Sequence, residues 1–331
     1  MKVNKDFPYK DVSTLGIGLT SRCNLNCPHC YSRKISQQDL NEETIEGILA
    51  KFPNLRKVNF GTGESILNKN FFSIVNLFVK KKIEMALTTN GLTVNKMSES
   101  LLKHFTDIDV SIDFPDAKQH DQWRGVPNLF LQALKSIETC QRLGINTSIA
   151  TCLMNINYHY IAGFKPILDK YDVYLRFNLY KPVNTSRFML NYQQFWEAIK
   201  IISENFQLVK NSEPILSIIT RESGDGSPCG NSLRIHPDLT ITPCVYLDGK
   251  KVNYSSFLNY KSFIPNECKN CEFVSSCKGG CLGRRYLTVG ATKPDIYCPI
   301  VRGKKIPKIN FKKAKEKDFI HGGYLCTIIL R

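Results

Sequence analysis

Three cysteines on one short segment are the strongest sign of chemistry in this sequence. Cys23, Cys27 and Cys30 have the spacing C-x3-C-x2-C and lie just after a predicted strand. Three thiolates on a tight loop suit an iron–sulfur cluster, which prefers soft sulfur ligands. Three ligands leave one iron without a protein ligand, and an open metal position is where a substrate or cofactor binds. A structural zinc knuckle with His29 as the fourth ligand is the alternative.

A second, larger group of cysteines lies in the C-terminal third of the chain. Four of them have the spacing C-x2-C-x5-C-x3-C between residues 268 and 281, and an earlier pair brackets a hairpin-like segment at 229–244. Seven cysteines in this order exceed what a simple zinc ribbon needs, so the region predicts a metal-dependent module. The seven are Cys229, Cys244, Cys268, Cys271, Cys277, Cys281 and Cys298.

The composition is that of an ordinary globular protein, with 331 residues of which 42% are hydrophobic and 22% charged. These values exclude a disordered chain, a coiled coil and a collagen-like rod. The first residues are polar and unlike a secretory signal, and no window is apolar enough for a transmembrane helix. We therefore expect a cytoplasmic protein without a membrane partner, in which cysteines serve metals or catalysis rather than disulfides.

Three further cysteines belong to neither group. Cys140 and Cys152 fall in a predicted helix and a predicted strand, where buried structural thiols are expected. Cys326 receives no role from its sequence context.

The chain is strongly basic, with 45 Lys and Arg against 29 Asp and Glu and a formal net charge of +16. Residues 302–331 hold nine basic and two acidic residues, so this tail carries much of the excess. A basic tail is more often a solvated arm than a nucleic-acid clamp, so the charge does not favour nucleic acid as a partner. The tail would suit an acidic peptide or an acidic partner protein.

Strand-like and helix-like segments alternate along the first two thirds of the chain. The strand candidates are short, apolar and rich in β-branched or aromatic residues, as strands buried on both faces should be. Six β–α units predict an α/β fold, a partial (β/α)6 TIM-like barrel whose site lies at the carboxyl ends of the strands. The predicted strands are 15–19, 57–60, 84–88, 108–112, 147–153 and 174–179. The predicted helices are 41–51, 69–81, 98–105, 129–143, 158–170 and 192–205.

The second predicted helix shows the helical period most clearly. Its expected N-cap is Asn68. One apolar face is expected to hold Phe71, Phe72, Val75, Phe78 and Val79.

The β–α alternation stops after about residue 210, and Gly, Pro and Cys become frequent up to Pro299. This small, loop-rich and Cys-rich C-terminal module has too little apolar sequence to be stable without metal. We therefore predict an N-terminal segment 1–13, a barrel 14–210, a metal-dependent module 211–300 and a basic tail 301–331.

The first cysteine loop resembles that of the radical S-adenosylmethionine (SAM) superfamily, and the similarity extends over most of the chain. Residues 60–65 resemble the family's Gly-Gly-Glu-Pro segment, which receives the amino group of the SAM methionine moiety. Gly63 and Glu64 match this segment, whereas Thr62 replaces a glycine and Ser65 the proline. The resemblance implies that residues 62–64 bind SAM, Gly63 by letting the backbone approach and Glu64 by pairing with the ammonium.

Further SAM contacts are implied at the ends of later strands. By resemblance, Ser111 contacts the ribose and Arg124 the carboxylate, since a guanidinium can bind both carboxylate oxygens. Asp113 is a further candidate, and Asn155 stands just past the fifth strand, where the family often has an asparagine. No general acid, general base or other catalytic side chain is predicted beyond the cluster.

The second cysteine group resembles the SPASM domain, a module of peptide-modifying radical SAM enzymes that carries two auxiliary clusters. The resemblance implies three [4Fe–4S] clusters, one that binds SAM and two auxiliary ones. The family's fourth inner ligand would fall at Ser223, so the inner cluster has an open iron or an oxygen ligand from Ser223 or Asp225. Leu239 stands where the family has a glycine. The outer ligands would be Cys268, Cys271, Cys277 and Cys298, and the inner ones Cys229, Cys244 and Cys281.

The resemblance implies reductive cleavage of SAM to a 5′-deoxyadenosyl radical, which abstracts hydrogen from an unactivated carbon. The expected substrate is a ribosomally made peptide with a leader, modified by a crosslink, a thioether or excision of a backbone fragment. A flavodoxin- or ferredoxin-type protein would supply the electron. Because about 14 residues precede the first predicted strand, a separate peptide-recognition protein is expected.

Two alternatives stay open. A radical SAM enzyme that acts on a folded protein, as sulfatase maturases do, or on a small molecule would keep the same cysteines and need no leader peptide. A non-enzymatic iron–sulfur or zinc scaffold that binds nucleic acid would show no SAM cleavage. The departures at Thr62 and Ser65 are the best support for the scaffold.

Overall fold

The computed structural model of the protein describes residues 9, 12–34, 38–221, 232–247, 263–314 and 326–331. Within these ranges, no helix has the length and apolar character needed to cross a membrane. The described strands are β1 (Thr14–Ile17), β2 (Lys57–Phe60), β3 (Glu84–Thr89), β4 (Phe105–Ser111), β5 (Asn146–Leu153), β6 (Tyr174–Leu179), β7 (Gln207–Asn211), β8 (Ser232–Ile235), β9 (Ile241–Thr242), β10 (Lys312–Lys313) and β11 (Thr327–Leu330). The described α-helices are α1 (Glu42–Leu49), α2 (Phe71–Lys80), α3 (Glu99–Leu102), α4 (Ala117–Arg124), α5 (Leu129–Arg142), α6 (Lys165–Tyr171), α7 (Tyr192–Asn205), α8 (Ser217–Thr220), α9 (Val274–Cys277) and α10 (Leu282–Thr288).

One open sheet contains these strands in the order β10-β7-β11-β6-β5-β4-β3-β2-β1-β8-β9. Strands β1 to β6 are neighbours in chain order and pair in parallel. Their carboxyl ends therefore meet at one edge, which brings together the loops that follow them. The predicted α/β partial barrel is confirmed, and each of its six predicted strands is present.

Helix α2 shows where the predicted helical face was right and where it was wrong. The helix buries Phe71 and Phe78. Phe72 and Val79, which the sequence placed on the same face, are 56% and 37% exposed. Each follows a buried residue by one position, and one step along an α-helix turns the side chain by about 100°.

The predicted N-cap of α2 was wrong by two positions. The helix begins after Asn70, whose side chain makes no capping hydrogen bond. Asn68 instead joins two loops, since its Nδ2 donates to the carbonyls of Leu19 at 2.6 Å and Leu40 at 2.9 Å. Its amide therefore ties the loop after β1 to the segment before α1.

Strands from outside the barrel extend the sheet on both sides. β8 pairs in parallel with β1, and β11 lies antiparallel between β6 and β7. The prediction that residues 302–331 form a solvated arm was therefore wrong for β11, in which all four residues are buried. The sequence TIIL is apolar, but the net charge of the surrounding segment concealed it.

Candidate active site

The first cysteine loop lies at the carboxyl edge of the barrel, directly after β1. Cys23, Cys27 and Cys30 line one cavity of about 210 Å³, together with residues from the ends of β2 to β6. We call this space the cysteine-loop cavity. Burial raises the pKa of the Cys27 thiol to about 11, so a thiolate at this position needs a bound cation to be stable.

Gly63 brings the loop after β2 against the loop after β1. Its φ is +65°, and a Cβ at this position would stand 2.6 Å from the carbonyl oxygens of both Thr20 and Arg22. The next backbone N–H, that of Glu64, donates to the Arg22 carbonyl at 2.8 Å. Glycine is therefore needed at position 63 for a steric reason, because any side chain there would push the two loops apart.

Glu64 lines the cysteine-loop cavity and is 1% exposed. Its carboxylate accepts hydrogen bonds from Thr89 Oγ1 at 2.5 Å, from the Asn90 backbone N–H at 3.0 Å and from Thr93 Oγ1. Burial raises the pKa of Glu64, and these donors oppose the rise. The carboxylate therefore fixes the turn after β3 to the loop after β2, and its pairing with the SAM ammonium stays a prediction.

Asp113 and Arg124 form a buried ion pair on the lining of the same cavity. Arg124, the last residue of α4, donates from Nε and Nη2 to Asp113 Oδ2 at 2.9 and 2.8 Å. The Cys152 backbone N–H donates to Asp113 Oδ1 at 3.0 Å. Burial alone would raise the pKa of Asp113, but Arg124 and two neighbouring histidines lower it to about 2. Asp113 is therefore ionised and orients the guanidinium, whose Nη1 is not part of the pair.

Both ring nitrogens of His29 face other side chains. Trp123 Nε1 donates to Nδ1 at 3.1 Å, and the two rings stack with centroids 5.5 Å apart. Nε2 lies 3.5 Å from Asp113 Oδ2. These contacts do not support the zinc knuckle with His29 as its fourth ligand.

The structure brings most of the predicted SAM-binding residues to the cysteine-loop cavity, but not Thr62 or Asn155. Thr62 lines a neighbouring cavity, with its Oγ1 3.3 Å from the Tyr31 hydroxyl. Asn155 is not among the described lining residues, and its Nδ2 donates to the Arg187 carbonyl at 2.9 Å. The residues brought together are Gly63, Glu64, Ser111, Asp113 and Arg124.

The two cysteines predicted as buried structural thiols differ in their environments. Cys140 in α5 is 0% exposed, as expected. Cys152 is half-buried and lines the cysteine-loop cavity, so the prediction for this residue was wrong. Its β-strand places alternate side chains on opposite faces, and a single sequence does not show which face borders a cavity.

A second cavity of about 160 Å³ adjoins the first. Tyr31, Lys181 and Tyr246 line both, and Cys244 and Cys326 line the second. Lys181 is 3% exposed, with its Nζ 4.5 Å from the centre of the Tyr246 ring. Sequence reasoning missed Lys181, although it stands two residues after β6, a position that favours function in such barrels.

Four cysteines of the second group surround a small cavity of about 20 Å³. Within the part of the chain that the structure describes, no three His, Cys, Asp or Glu side chains converge on a single metal ion. A four-iron cluster does not require such convergence, because each thiolate ligates a different iron. The four residues are those predicted as outer ligands, Cys268, Cys271, Cys277 and Cys298.

The predicted inner ligands are described only in part. Cys244 and Cys281 are 6% and 1% exposed. Cys229 lies outside the described residues, as do Ser223 and Asp225. Leu239, between β8 and β9, has a φ of +65°, the left-handed conformation that suits the glycine of the related motif.

Comparison with known protein families agrees with this geometry. The radical SAM superfamily matches residues 17–164, a range that holds the first cysteine loop and the ion pair of Asp113 with Arg124. Residues 17–164 are a radical SAM domain. The chain is therefore a radical SAM enzyme, with SAM and a [4Fe–4S] cluster as the cofactors of this domain.

Relatives of this radical SAM enzyme cover most of its length. It is 21% identical to the mycofactocin maturase MftC of Mycolicibacterium smegmatis over 90% of this chain and 85% of the relative. It resembles solved Streptococcus suis SuiB bound to S-adenosylmethionine with a TM-score of 0.63 and 14% identity, covering 86% and 76% of the two chains. AdoMet-bound anSMEcpe gives a TM-score of 0.66 and 18% identity, covering 87% and 94%. At these identities the two solved structures show a shared fold.

The residues of the cysteine-loop cavity fit the two cofactors of a radical SAM domain. Three thiols in the lining match a cluster that keeps one iron for SAM. Gly63 lets the loop after β2 pack closely against the loop after β1, and the cavity also presents one oriented guanidinium. When bound and reduced by one electron, the cluster and SAM supply a 5′-deoxyadenosyl radical for hydrogen abstraction.

Proposed function

We propose that this radical SAM enzyme modifies a ribosomally made peptide within the two adjoining cavities. The observation that carries the proposal is their shared lining, which includes the large side chains of Tyr31, Lys181 and Tyr246. A substrate held there would have the SAM-binding residues on one side and the second cysteine group on the other.

Relatives support a peptide substrate. One is a mycofactocin maturase, and another is AlbA of Bacillus subtilis, a subtilosin biosynthesis protein 30% identical over 42% of this chain and 33% of the relative. SuiB with bound precursor peptide SuiA shares the fold, with a TM-score of 0.64. The crosslink, thioether or backbone excision predicted from the sequence is the reaction that we propose for this chain.

Different residues of this chain bind different parts of SAM. Arg124 takes the methionine carboxylate, and Asp113 keeps the guanidinium in place by occupying Nε and Nη2. Gly63 admits the amino group to the backbone, and Ser111 contacts the ribose. Glu64 acts as a positioning residue, because it holds the turn after β3.

Tyr31 lines both cavities and keeps its proton. Its hydroxyl donates to the Gly61 carbonyl at 3.0 Å, and burial raises its pKa to about 12. A neutral phenol in this position shapes the wall without adding charge beside the cysteines. We therefore assign Tyr31 a role in shaping the substrate space.

We further propose that residues 211–300 carry two auxiliary clusters beside the barrel of residues 14–210. The small cavity among the four outer cysteines supports one of them. Auxiliary clusters supply electron-transfer chemistry. A flavodoxin- or ferredoxin-type donor, a peptide-recognition partner and an acidic leader that meets the basic tail remain predictions.

Iron and labile sulfide per chain, measured after anaerobic reconstitution, test the cofactors, with SAM cleavage assayed on the same sample. We expect about twelve irons for three four-iron clusters, and 5′-deoxyadenosine that forms only with reductant. About four irons with cleavage would show that the second module carries no cluster. Bound zinc without SAM cleavage would favour the non-enzymatic scaffold instead.

The peptide substrate is tested with deuterated synthetic peptides whose sequences are encoded beside the gene for this chain. We expect transfer of deuterium to 5′-deoxyadenosine, and a peptide that has lost a hydrogen pair or a backbone fragment. The variant Cys23→Ala/Cys27→Ala/Cys30→Ala should give neither product. The proposal would be contradicted if the enzyme modifies a folded protein or a small molecule but none of the peptides.

A further inference from the structure

Cys326 lies beside a predicted inner-cluster cysteine, although its sequence context gave it no role. Its Sγ is 3.4 Å from Cys281 Sγ, and the two residues are 3% and 1% exposed. Both are free thiols. Cys326 also lines the second cavity together with Cys244, another predicted inner ligand. Two of the three predicted inner cysteines are therefore grouped with a cysteine that the family pattern does not include.

The sheet holds Cys326 firmly at this position. The residue directly precedes β11, whose Thr327 exchanges hydrogen bonds with Ser212, from the Thr327 N–H to Ser212 Oγ at 3.0 Å and from the Ser212 N–H to the Thr327 carbonyl at 2.9 Å. Thr327 Oγ1 donates to Asn178 Oδ1 at 2.8 Å. Cys326 itself has a φ of +54°, a left-handed conformation that a cysteine keeps only where its surroundings impose it.

A buried cation stands at the same place. Lys181 lines the second cavity with Cys244 and Cys326, and its Nζ donates to the Leu179 carbonyl at 3.1 Å. A cluster held by thiolates carries net negative charge, and burying that charge is costly without a nearby cation. Lys181 supplies the positive charge that such a group needs.

We propose that Cys326 is the fourth protein ligand of the inner auxiliary cluster. It would join the described cysteines Cys244 and Cys281 as a ligand of this cluster, in place of the ligand that the family pattern puts at Ser223. The inference rests on the auxiliary clusters of the proposed function. Coordination exchanges the S–H bond of Cys326 for an Fe–S bond and releases one proton.

A closed inner cluster changes what a substrate can do in the second cavity. With four protein thiolates, no iron of this cluster is free to take a substrate thiolate. A peptide would then lie against Lys181 and the cavity wall without becoming a ligand. The oxygen ligands considered from the sequence, Ser223 and Asp225, would not be needed.

The test uses the full chain with Cys23, Cys27 and Cys30 replaced by alanine, so that auxiliary clusters alone bind iron. This parent should hold about eight irons after anaerobic reconstitution. Adding Cys326→Ser should lower the iron content, or shift the electron paramagnetic resonance signal and midpoint potential of one cluster. Cys140→Ser is the matched buried-cysteine control and should equal the parent, as should Ser223→Ala and Asp225→Ala.

A second variant separates lost coordination from lost folding. In Cys326→Ala, one iron lacks a protein thiolate, so added 2-mercaptoethanol should change the resonance signal, whereas the parent should not respond. Circular dichroism of both Cys326 variants checks that they remain folded. If Cys326→Ala does not fold, Cys326→Ser still reports the change of ligand through its iron content, resonance signal and midpoint potential.

Different results would overturn the two proposals. If the parent holds about eight irons and Cys326→Ser leaves the iron content, signal and potential unchanged, Cys326 is not a ligand and the auxiliary clusters stand. A change produced by Ser223→Ala or Asp225→Ala instead would also overturn the assignment. A parent that binds no iron would remove the auxiliary clusters from the proposed function, and the role of Cys326 with them.

Discussion

Arg284 and Glu213 form a buried ion pair between helix α10 and the segment after β7, with Arg284 Nη2 2.6 Å from Glu213 Oε1. Asp295 Oδ2 lies at the same distance from Arg284 Nη2, and the three side chains are 0% exposed or nearly so. A buried guanidinium between carboxylates satisfies charges that would be costly to bury singly. The group therefore holds the second cysteine-rich region against the barrel sheet.

Removing the guanidinium should be strongly destabilising. We expect Arg284→Met to lower the free energy of unfolding by about 3–5 kcal/mol, because it leaves Glu213 and Asp295 buried without their cation. The control is Arg142→Met, whose pair with Glu99 is 59% and 53% exposed, so that its loss should change the free energy of unfolding far less. Urea unfolding measures the free energy of unfolding of both variants. Equal losses would show that the buried ion pairs stabilise the fold no more than the exposed pair does.

Gly63→Ala should impair SAM binding for a steric reason. Its Cβ would stand 2.6 Å from two carbonyl oxygens, so the loops after β1 and β2 must move apart. We expect a loss of affinity of at least about tenfold, measured by equilibrium dialysis. Gly125→Ala is the matched control, since Gly125 also has a positive φ, +76°, but open space around its Cβ position. We expect Gly125→Ala only to lower the free energy of unfolding, by about 1–2 kcal/mol.

Arg124→Lys should weaken SAM binding while keeping the charge. A lysine presents one nitrogen, so it cannot bind Asp113 and the methionine carboxylate with the same planar geometry. We expect the dissociation constant of SAM to rise about 10- to 100-fold. Asn155→Ala should leave it unchanged, because the Asn155 amide donates to the Arg187 carbonyl. A large effect of Asn155→Ala would restore the role predicted for it from the sequence.

Asp107 should make the fold less stable as the pH rises. It is 1% exposed, and neither carboxylate oxygen has a hydrogen-bond partner among the described residues. Burial, and then the neighbouring Asp109, raise its pKa to about 7, against about 3.9 in an unfolded chain. The folded state therefore keeps a proton that the unfolded state releases, and stability falls between about pH 4 and pH 7.

Asp107→Asn removes this titration. We expect it to increase the free energy of unfolding at pH 8 by on the order of 2 kcal/mol and to change it little at pH 4. Asp109→Asn is the contrasting variant, because Asp109 forms a buried ion pair with Arg176 and its loss should destabilise the fold at pH 8. Thermal unfolding at both pH values distinguishes the two, and a pH-independent effect of Asp107→Asn would refute the raised pKa.

The barrel and the first cysteine loop were predictable because their signals are local. Apolar strands, helical spacing and C-x3-C-x2-C all lie within short stretches of sequence. The pairing of Asp113 with Arg124 was not predicted, although both residues were singled out, because it depends on how α4 packs against the end of β4. Helix α4 itself was missed, since it has few apolar residues to reveal a period.

The environment of Cys326 could not be read from the sequence for a different reason. Its position depends on β11, which pairs with strands far earlier in the chain. The surrounding segment is dominated by lysines, so average charge concealed four apolar residues. Lys181 was likewise missed, because nothing local shows that a lysine will be buried beside cysteines.

The insertion of β11 between β6 and β7 also sets an order of events in folding. The hydrogen bond between Thr327 and Asn178 joins residues 149 positions apart, and contacts across such separations form slowly because closing the loop costs entropy. Cys326 reaches Cys281 only when this strand has docked. We therefore expect the proposed inner cluster to gain its Cys326 ligand only after this strand has docked, in a maturation step whose rate is set by strand docking rather than by metal supply.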